Sequence, residues 1–229
     1  KAPLVVLKDA DLEEAVKAAI FGAFFNQGQI CMSTERIILV PEIADEFVDR
    51  FSARASQLKA GDPRTGKTPL GAVVDRLTVE KVTALIEDAR TKGATIHSAG
   101  AAEGVLMPAQ VVDHVTPEMR LYAEESFGPV VAIIRADGEE DAIRLANDTE
   151  YGLSAAVFTR DIARGLNIAK RIKSGICHIN GATVHDEAQM PFGGTKASGY
   201  GRFGGSPGIA EFTELRWITV ETLPGHYPL

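Results

Sequence analysis

The chain has 229 residues, 45% apolar and 24% charged, with a formal net charge of −7, which suits one large soluble α/β unit or two small ones. An acidic chain with no concentrated Lys/Arg cluster is a poor match for a phosphate backbone, so no nucleic-acid partner is expected. Its apolar stretches stop short of the roughly 18 residues of a membrane span, its first residues lack a signal-peptide pattern, and two distant cysteines make no disulfide framework; the expected setting is cytoplasmic and reducing.

Lys1-Ala2-Pro3-Leu4-Val5-Val6-Leu7-Lys8 reads as a core strand. A chain opening on such a strand, with no initiator methionine, is expected to be a piece of a longer protein. Asp9-Ala10-Asp11 makes a turn, and Asp11 with Glu14 fits a reciprocal cap for a helix from Leu12 to about Phe25. Asn26 and Gly28 end that helix. The breaker-free run from Ile30 to Glu35 predicts a second helix carrying Cys31, ahead of a strand at Arg36-Ile37-Ile38-Leu39-Val40. An amphipathic helix is predicted from Pro41 to roughly Leu58, with Phe47, Val48 and Phe51 on its apolar stripe. Gly61-Asp62-Pro63 and Gly66-Lys67-Thr68-Pro69 mark exposed turns. A helix from Thr78 to Lys92 follows, then short strands at Ala94-Thr95-Ile96 and from Met107 to Val112. From Val130 the alternation is regular: strands at Val130 to Ile134, Ser154 to Phe158 and Gly175 to Ile179, with helices at Glu139 to Ala146 and Ile162 to Ile172. Branched apolar strands separated by helices predict a three-layer αβα fold on a mostly parallel sheet. Gly193 to Gly208 reads as irregular, and Trp217-Ile218-Thr219-Val220 as a lone strand that joins its own sheet or another subunit's.

One stretch carries chemistry. Phe24-Phe25-Asn26-Gln27-Gly28-Gln29-Ile30-Cys31 is a helix end that breaks into polar residues and glycine and then delivers a thiol. Fresh backbone N–H groups at such a break favour a thiolate and a negative oxygen, which makes Cys31 a candidate nucleophile; the competing reading is a small buried hydrophobe. Cys177, inside a strand, reads as core. No metal site is expected, because only His178 adjoins a cysteine and neighbouring strand residues point to opposite faces.

Three stretches carry a resemblance. Phe25-Asn26-Gln27-Gly28-Gln29-Ile30-Cys31 resembles the active-cysteine motif of the NAD(P)-dependent aldehyde dehydrogenase superfamily. Glu124-Glu125-Ser126-Phe127-Gly128-Pro129-Val130 is similar to its cofactor-clamping motif, and Pro191-Phe192-Gly193-Gly194-Thr195-Lys196-Ala197-Ser198-Gly199 with Gly201-Arg202 to its C-terminal signature. The resemblance implies oxidation of an aldehyde to its acid with NAD, NADP not being excluded. It makes Cys31 the nucleophile, whose own N–H holds the oxyanion, through a thiohemiacetal and a thioester. Glu125 is implied to accept hydrogen bonds from the nicotinamide ribose, with Phe127 against the nicotinamide region. Phe25, Ile30, Met32, Asp186 and Phe192 match positions lining the aldehyde tunnel, and the segment from His185 to Pro191 resembles the benzaldehyde, salicylaldehyde and vanillin dehydrogenase branch, which implies an aromatic substrate. Phe212-Thr213-Glu214-Leu215-Arg216 is similar to the start of the family's oligomerisation strand, which implies a homodimer or homotetramer with Glu214 bracing Arg202 and, across the dimer, another arginine. The implied division is a catalytic domain over 1–211 and an oligomerisation strand with its tail over 212–229.

The same resemblance puts the general-base glutamate, the second oxyanion donor and the dinucleotide-binding domain ahead of Lys1. Without them this chain alone is expected to be inactive, because nothing in it places a hydride acceptor. Two other readings stay open: a thiol esterase using His178 or His185 as base, and a non-catalytic oligomerisation scaffold.

Overall fold

Residues 1–66 and 68–228 are described in a computed structural model of the chain; Lys67, inside one of the expected turns, and Leu229, at the end of the expected tail, lie outside them. The elements run β1 (Ala2–Val6), α1 (Leu12–Phe24), β2 (Thr34–Leu39), α2 (Ala44–Ala55), α3 (Arg76–Thr91), β3 (Thr95–Ser98), β4 (Gln110–Asp113) and α4 (Arg120–Ala123). They continue with β5 (Val130–Arg135), α5 (Glu139–Asn147), β6 (Tyr151–Gly152), β7 (Ser154–Phe158), α6 (Ile162–Arg171), β8 (Ile176–Ile179), β9 (Thr195–Lys196) and α7 (Gly205–Glu211).

Seven strands form one sheet in the order β3-β4-β5-β2-β1-β7-β8, parallel throughout except for the antiparallel edge strand β3. Every residue of β1, β2 and β7 is buried, and all of β5 but Arg135. Successive strand residues face opposite sides, so both faces of the sheet are covered, which is why these strands read as continuous apolar runs. This is the α/β class expected from the alternation. The reciprocal cap of α1 forms only by half: the Asp11 carboxylate accepts the Glu14 N–H at 3.2 Å, while the Glu14 side chain pairs with Lys17 at 2.8 Å.

One expectation fails for a physical reason, and a second has no counterpart within the single chain. No helix carries Cys31. After α1, Asn26, Gln27 and Gly28 take positive φ values of 50°, 57° and 70° and turn the chain. A turn over Ile30–Ser33 follows, closed by the Ser33 N–H on the Ile30 carbonyl at 2.9 Å, and β2 starts at Thr34. Its Thr34, Ile37 and Ile38 are β-branched and pair with β1, so the ladder outcompetes a local helix. At the other end, residues 217–220 form no strand in the single chain; Trp217, Ile218 and Val220 are exposed. A strand requires a ladder, and among the described residues this segment has no partner. The glycine-rich region is more ordered than expected, holding β9, paired with β6, and α7.

Among the described residues no helix is long and apolar enough to cross a membrane.

Candidate active site

Cys31 lies just before β2, Glu125 before β5, Ser154 at the start of β7 and Ser174 before β8, with Lys1 leading into β1. The amino ends of the parallel strands therefore meet at one place. Open α/β sheets bind ligands at the carboxyl ends as a rule; here the candidate residues gather at the opposite, amino ends. There a cavity of about 200 Å³ is lined by Cys31, Glu125, Lys1, Tyr151, Ser174 and Ser198 among others. The thiol is exposed and the carboxylate half-buried.

The thiol's turn is held from three sides. Gln29 accepts the Val74 N–H at 2.8 Å through Oε1, while the Asn26 Nδ2 donates to the Gln29 carbonyl at 3.2 Å. Thr183 Oγ1 donates to the Met32 carbonyl at 2.7 Å, so the Thr34 hydroxyl, 2.7 Å away, is the donor to Thr183. Gly28 backs directly onto Gly128 of the Glu125 loop: a Cβ on Gly28 would stand 2.2 Å from the Gly128 carbonyl oxygen. The closing bond of the turn uses neither the Cys31 nor the Met32 N–H, which leaves Cys31 N–H outside the turn's own hydrogen bonding.

Lys1 and Glu35 were not among the residues singled out from sequence. Lys1 Nζ lies 3.0 Å from Glu35 Oε2, both side chains removed from solvent. Burial pushes the Glu35 carboxyl up, but the Lys1 side-chain ammonium and the Ser126 N–H hold it below the usual range. Burial holds the Lys1 ammonium below its ordinary value, against the pull of Glu35. The only signal for this pair in the sequence is an acid immediately before an apolar strand. Arg36 beside it is fully buried and donates to the carbonyls of Leu145, Ala146 and Asp148, tying β2 to the end of α5.

The other predicted residues are scattered. Phe127 is 38% exposed with a positive φ of 52°. Phe25 is 53% exposed and stacks on Phe21 at 4.9 Å, Met32 is buried and Ile30 half-buried. Asp186 and Phe192 line a different cavity of about 390 Å³, together with Cys177, His178 and His185. Cys31 does not border that cavity, and no histidine borders the cavity of Cys31. Arg202 donates through Nη1 to the carbonyls of Gly194 and Gly201 at 2.8 and 2.7 Å, and its backbone N–H goes to Glu211 at 3.2 Å; Glu214 is exposed and takes no part. Among the described residues no group of three or more His, Cys, Asp or Glu side chains is arranged to hold a metal ion.

The model of the aldehyde dehydrogenase family matches residues 1–218. The chain belongs to that family. It is 55% identical over 229 residues to the vanillin dehydrogenase of Pseudomonas sp. (strain HR199 / DSM 7063), covering all of this chain and 47% of that protein. It is 52% identical over 229 residues to the salicylaldehyde dehydrogenase of Pseudomonas putida, again covering 47% of it. In structure it is similar to the salicylaldehyde dehydrogenase from Pseudomonas putida G7 complexed with salicylaldehyde, with a TM-score of 0.95 and 52% identity, over all of this chain and 48% of that one. The chain thus spans about half the length of the curated relatives it matches.

Proposed function

We propose that the complete protein containing this chain oxidises an aromatic aldehyde of the benzaldehyde, salicylaldehyde or vanillin type to the carboxylic acid, with NAD or NADP as hydride acceptor. The observation that carries this reading is that Cys31 and Glu125 border one cavity; the similarity to vanillin and salicylaldehyde dehydrogenases supports the substrate class. The residues fit the nicotinamide end of such a dinucleotide. Glu125 offers an acceptor-only carboxylate of the kind a ribose diol donates to, and the Phe127 ring is open to solvent nearby in sequence. A cavity of about 200 Å³ has room for a ring and part of its sugar.

On this reading the Cys31 thiolate adds to the aldehyde carbon, and the carbonyl electron pair moves to oxygen, where the Cys31 N–H is available to it. When bound, the oxidised nicotinamide supplies the hydride-accepting carbon. Collapse of the oxyanion expels the aldehyde hydrogen as hydride and leaves a thioester on Cys31. Water then cleaves the thioester, releasing the acid and the thiol. Of the other enzymatic readings, a thiol esterase requires a histidine base, and the cavity of Cys31 has none.

Residues 1–211 act as the catalytic domain on this reading, and 212–229 as an oligomerisation strand with its tail, pairing with a second copy in a homodimer or homotetramer. The apolar residues exposed along it support that role, and on this reading Glu214, exposed in the single chain, braces an arginine of the second copy. The test of the function is turnover of the complete protein over a panel of aromatic and short aliphatic aldehydes, with Cys31→Ala as control. Aromatic preference and loss of NAD(P) reduction in Cys31→Ala are expected; preference for aliphatic aldehydes, or turnover without the thiol, defeats the proposal.

A further inference from the structure

Two acids are buried among the described residues, Asp113 and Glu35. Asp113 pairs with Arg135 at 2.7 Å. Glu35 lies on β2, just past the turn of the nucleophile, and the reaction above leaves it unused. Its carboxylate accepts the Ser126 N–H at 2.9 Å through Oε2 and the Phe127 N–H at 3.3 Å through Oε1. Its partner Lys1, 3.0 Å away, also donates through Nζ to the Leu121 carbonyl at 2.6 Å. Leu121 belongs to α4, immediately ahead of Glu125; Ser126 and Phe127 immediately follow it. The ion pair therefore grips the chain on both sides of the one carboxylate that shares the thiol's cavity.

Two further features make this more than a packing detail. Phe127 is held at φ 52°, a left-handed conformation that an aromatic residue adopts at a cost, and its N–H is one of the two that Glu35 fixes. Beyond it, Gly128 closes against Gly28 of the nucleophile's turn. A buried ion pair of this kind is often no more stabilising than apolar side chains of similar volume, so stability alone does not account for it.

We infer that Glu35, held by Lys1, is a positioning residue that keeps the Glu125 carboxylate in register with the Cys31 thiol for the sugar of the nicotinamide nucleotide. The inference rests on the function proposed above. Because β2 carries Glu35 and the turn of Cys31 together, a shift of the strand moves nucleophile and clamp as one unit.

The test uses the complete protein. Lys1→Met combined with Glu35→Leu preserves side-chain volume and removes both grips, and Glu35→Gln keeps one acceptor. In the double variant, the Kd for NAD, read by fluorescence titration without aldehyde, is expected to rise about 10-fold or more, since small misplacements of a binding group weaken it steeply. The KM for aldehyde is expected to stay within about twofold, and the deuterium isotope effect on kcat with formyl-deuterated benzaldehyde to grow as hydride transfer slows. Glu35→Gln should fall between wild type and the double variant. Wild-type Kd and isotope effect in both variants overturn the inference. So does weak binding that recovers fully at a temperature where thermal melts show the variant folded, since that is loss of stability alone. If the wild-type protein neither binds the nucleotide nor oxidises aldehydes, the functional reading fails and this inference fails with it.

Discussion

Cys31 is exposed at the sheet edge, whereas Cys177 is half-buried in β8 and burial pushes its thiol up to about 11. At pH 8 a thiol of that kind is ionised to roughly one part in a thousand, and the thiolate is the reactive form. Iodoacetamide is therefore expected to label Cys31 far ahead of Cys177, read by peptide mapping over time; equal rates would remove the distinction between open and core thiol. Cys31 and Glu125 were picked out of the sequence because each stands in a motif, and the fold sets both on one cavity. Lys1 and Glu35 were not, since a charged residue beside an apolar run reads as a solvated flank, and only the fold reveals that both side chains are enclosed. Asp186 and Phe192 share a cavity as their motif implies, but it is not the cavity of Cys31.

At the scale of elements, helices with a clear apolar stripe were readable: α2 buries Phe47, Val48 and Phe51, and α3 buries Val82, Leu85 and Ala89. The segment from Ile30 to Glu35 was not, because a short apolar run with no periodicity does not distinguish helix from turn and strand. What decides it is the ladder with β1, and beside it two loops approach each other at a glycine. Gly28→Ala would force a Cβ to 2.2 Å from the Gly128 carbonyl at φ +70°, whereas Gly104, at φ +62°, has nothing within 4 Å. Gly104→Ala is expected to cost about 1 kcal/mol of backbone strain and Gly28→Ala about 3 kcal/mol or more, compared by urea denaturation. Equal losses would mean that the loops do not meet there. A second junction is sensitive to acid. Asp9, after β1, accepts the Thr159 hydroxyl at 2.8 Å and the N–H groups of Arg160 and Asp161 at 3.1 and 3.2 Å, joining β1 to the start of α6. Burial pushes its carboxyl up, but those hydrogen bonds prevail and hold it below the ordinary carboxylate value. The folded-state value being the lower one, its contribution is complete above the unfolded-state value of about 3.9 and disappears as pH falls through the folded-state value. Asp9→Asn is expected to lose about 1–2 kcal/mol at pH 7, a gap to wild type that narrows in strong acid; a gap independent of pH would show that charge is not what the junction uses.

The whole molecule leaves two surfaces unfinished. Strand β8 ends the sheet, half-buried at every residue and paired on one side only, by β7. Past α7, Leu215, Trp217, Ile218 and Val220 are 106%, 90%, 69% and 80% exposed. An exposed apolar segment of β-forming residues and an open sheet edge are each features by which chains associate. The lone strand read from the sequence has no ladder among the described residues. If the segment pairs between copies of the complete protein, Trp217→Asp places a charge in the interface and should shift sedimentation toward lower mass, an aromatic anchor of this sort being worth about 2 kcal/mol or more. Glu214→Lys should act in the same direction if that acid meets an arginine of the second copy. The alternative is that the segment folds back on the rest of its own protein. In that case the mass stays unchanged in Trp217→Asp while thermal stability falls, so mass and melting temperature measured on the same variant separate pairing between copies from packing within one.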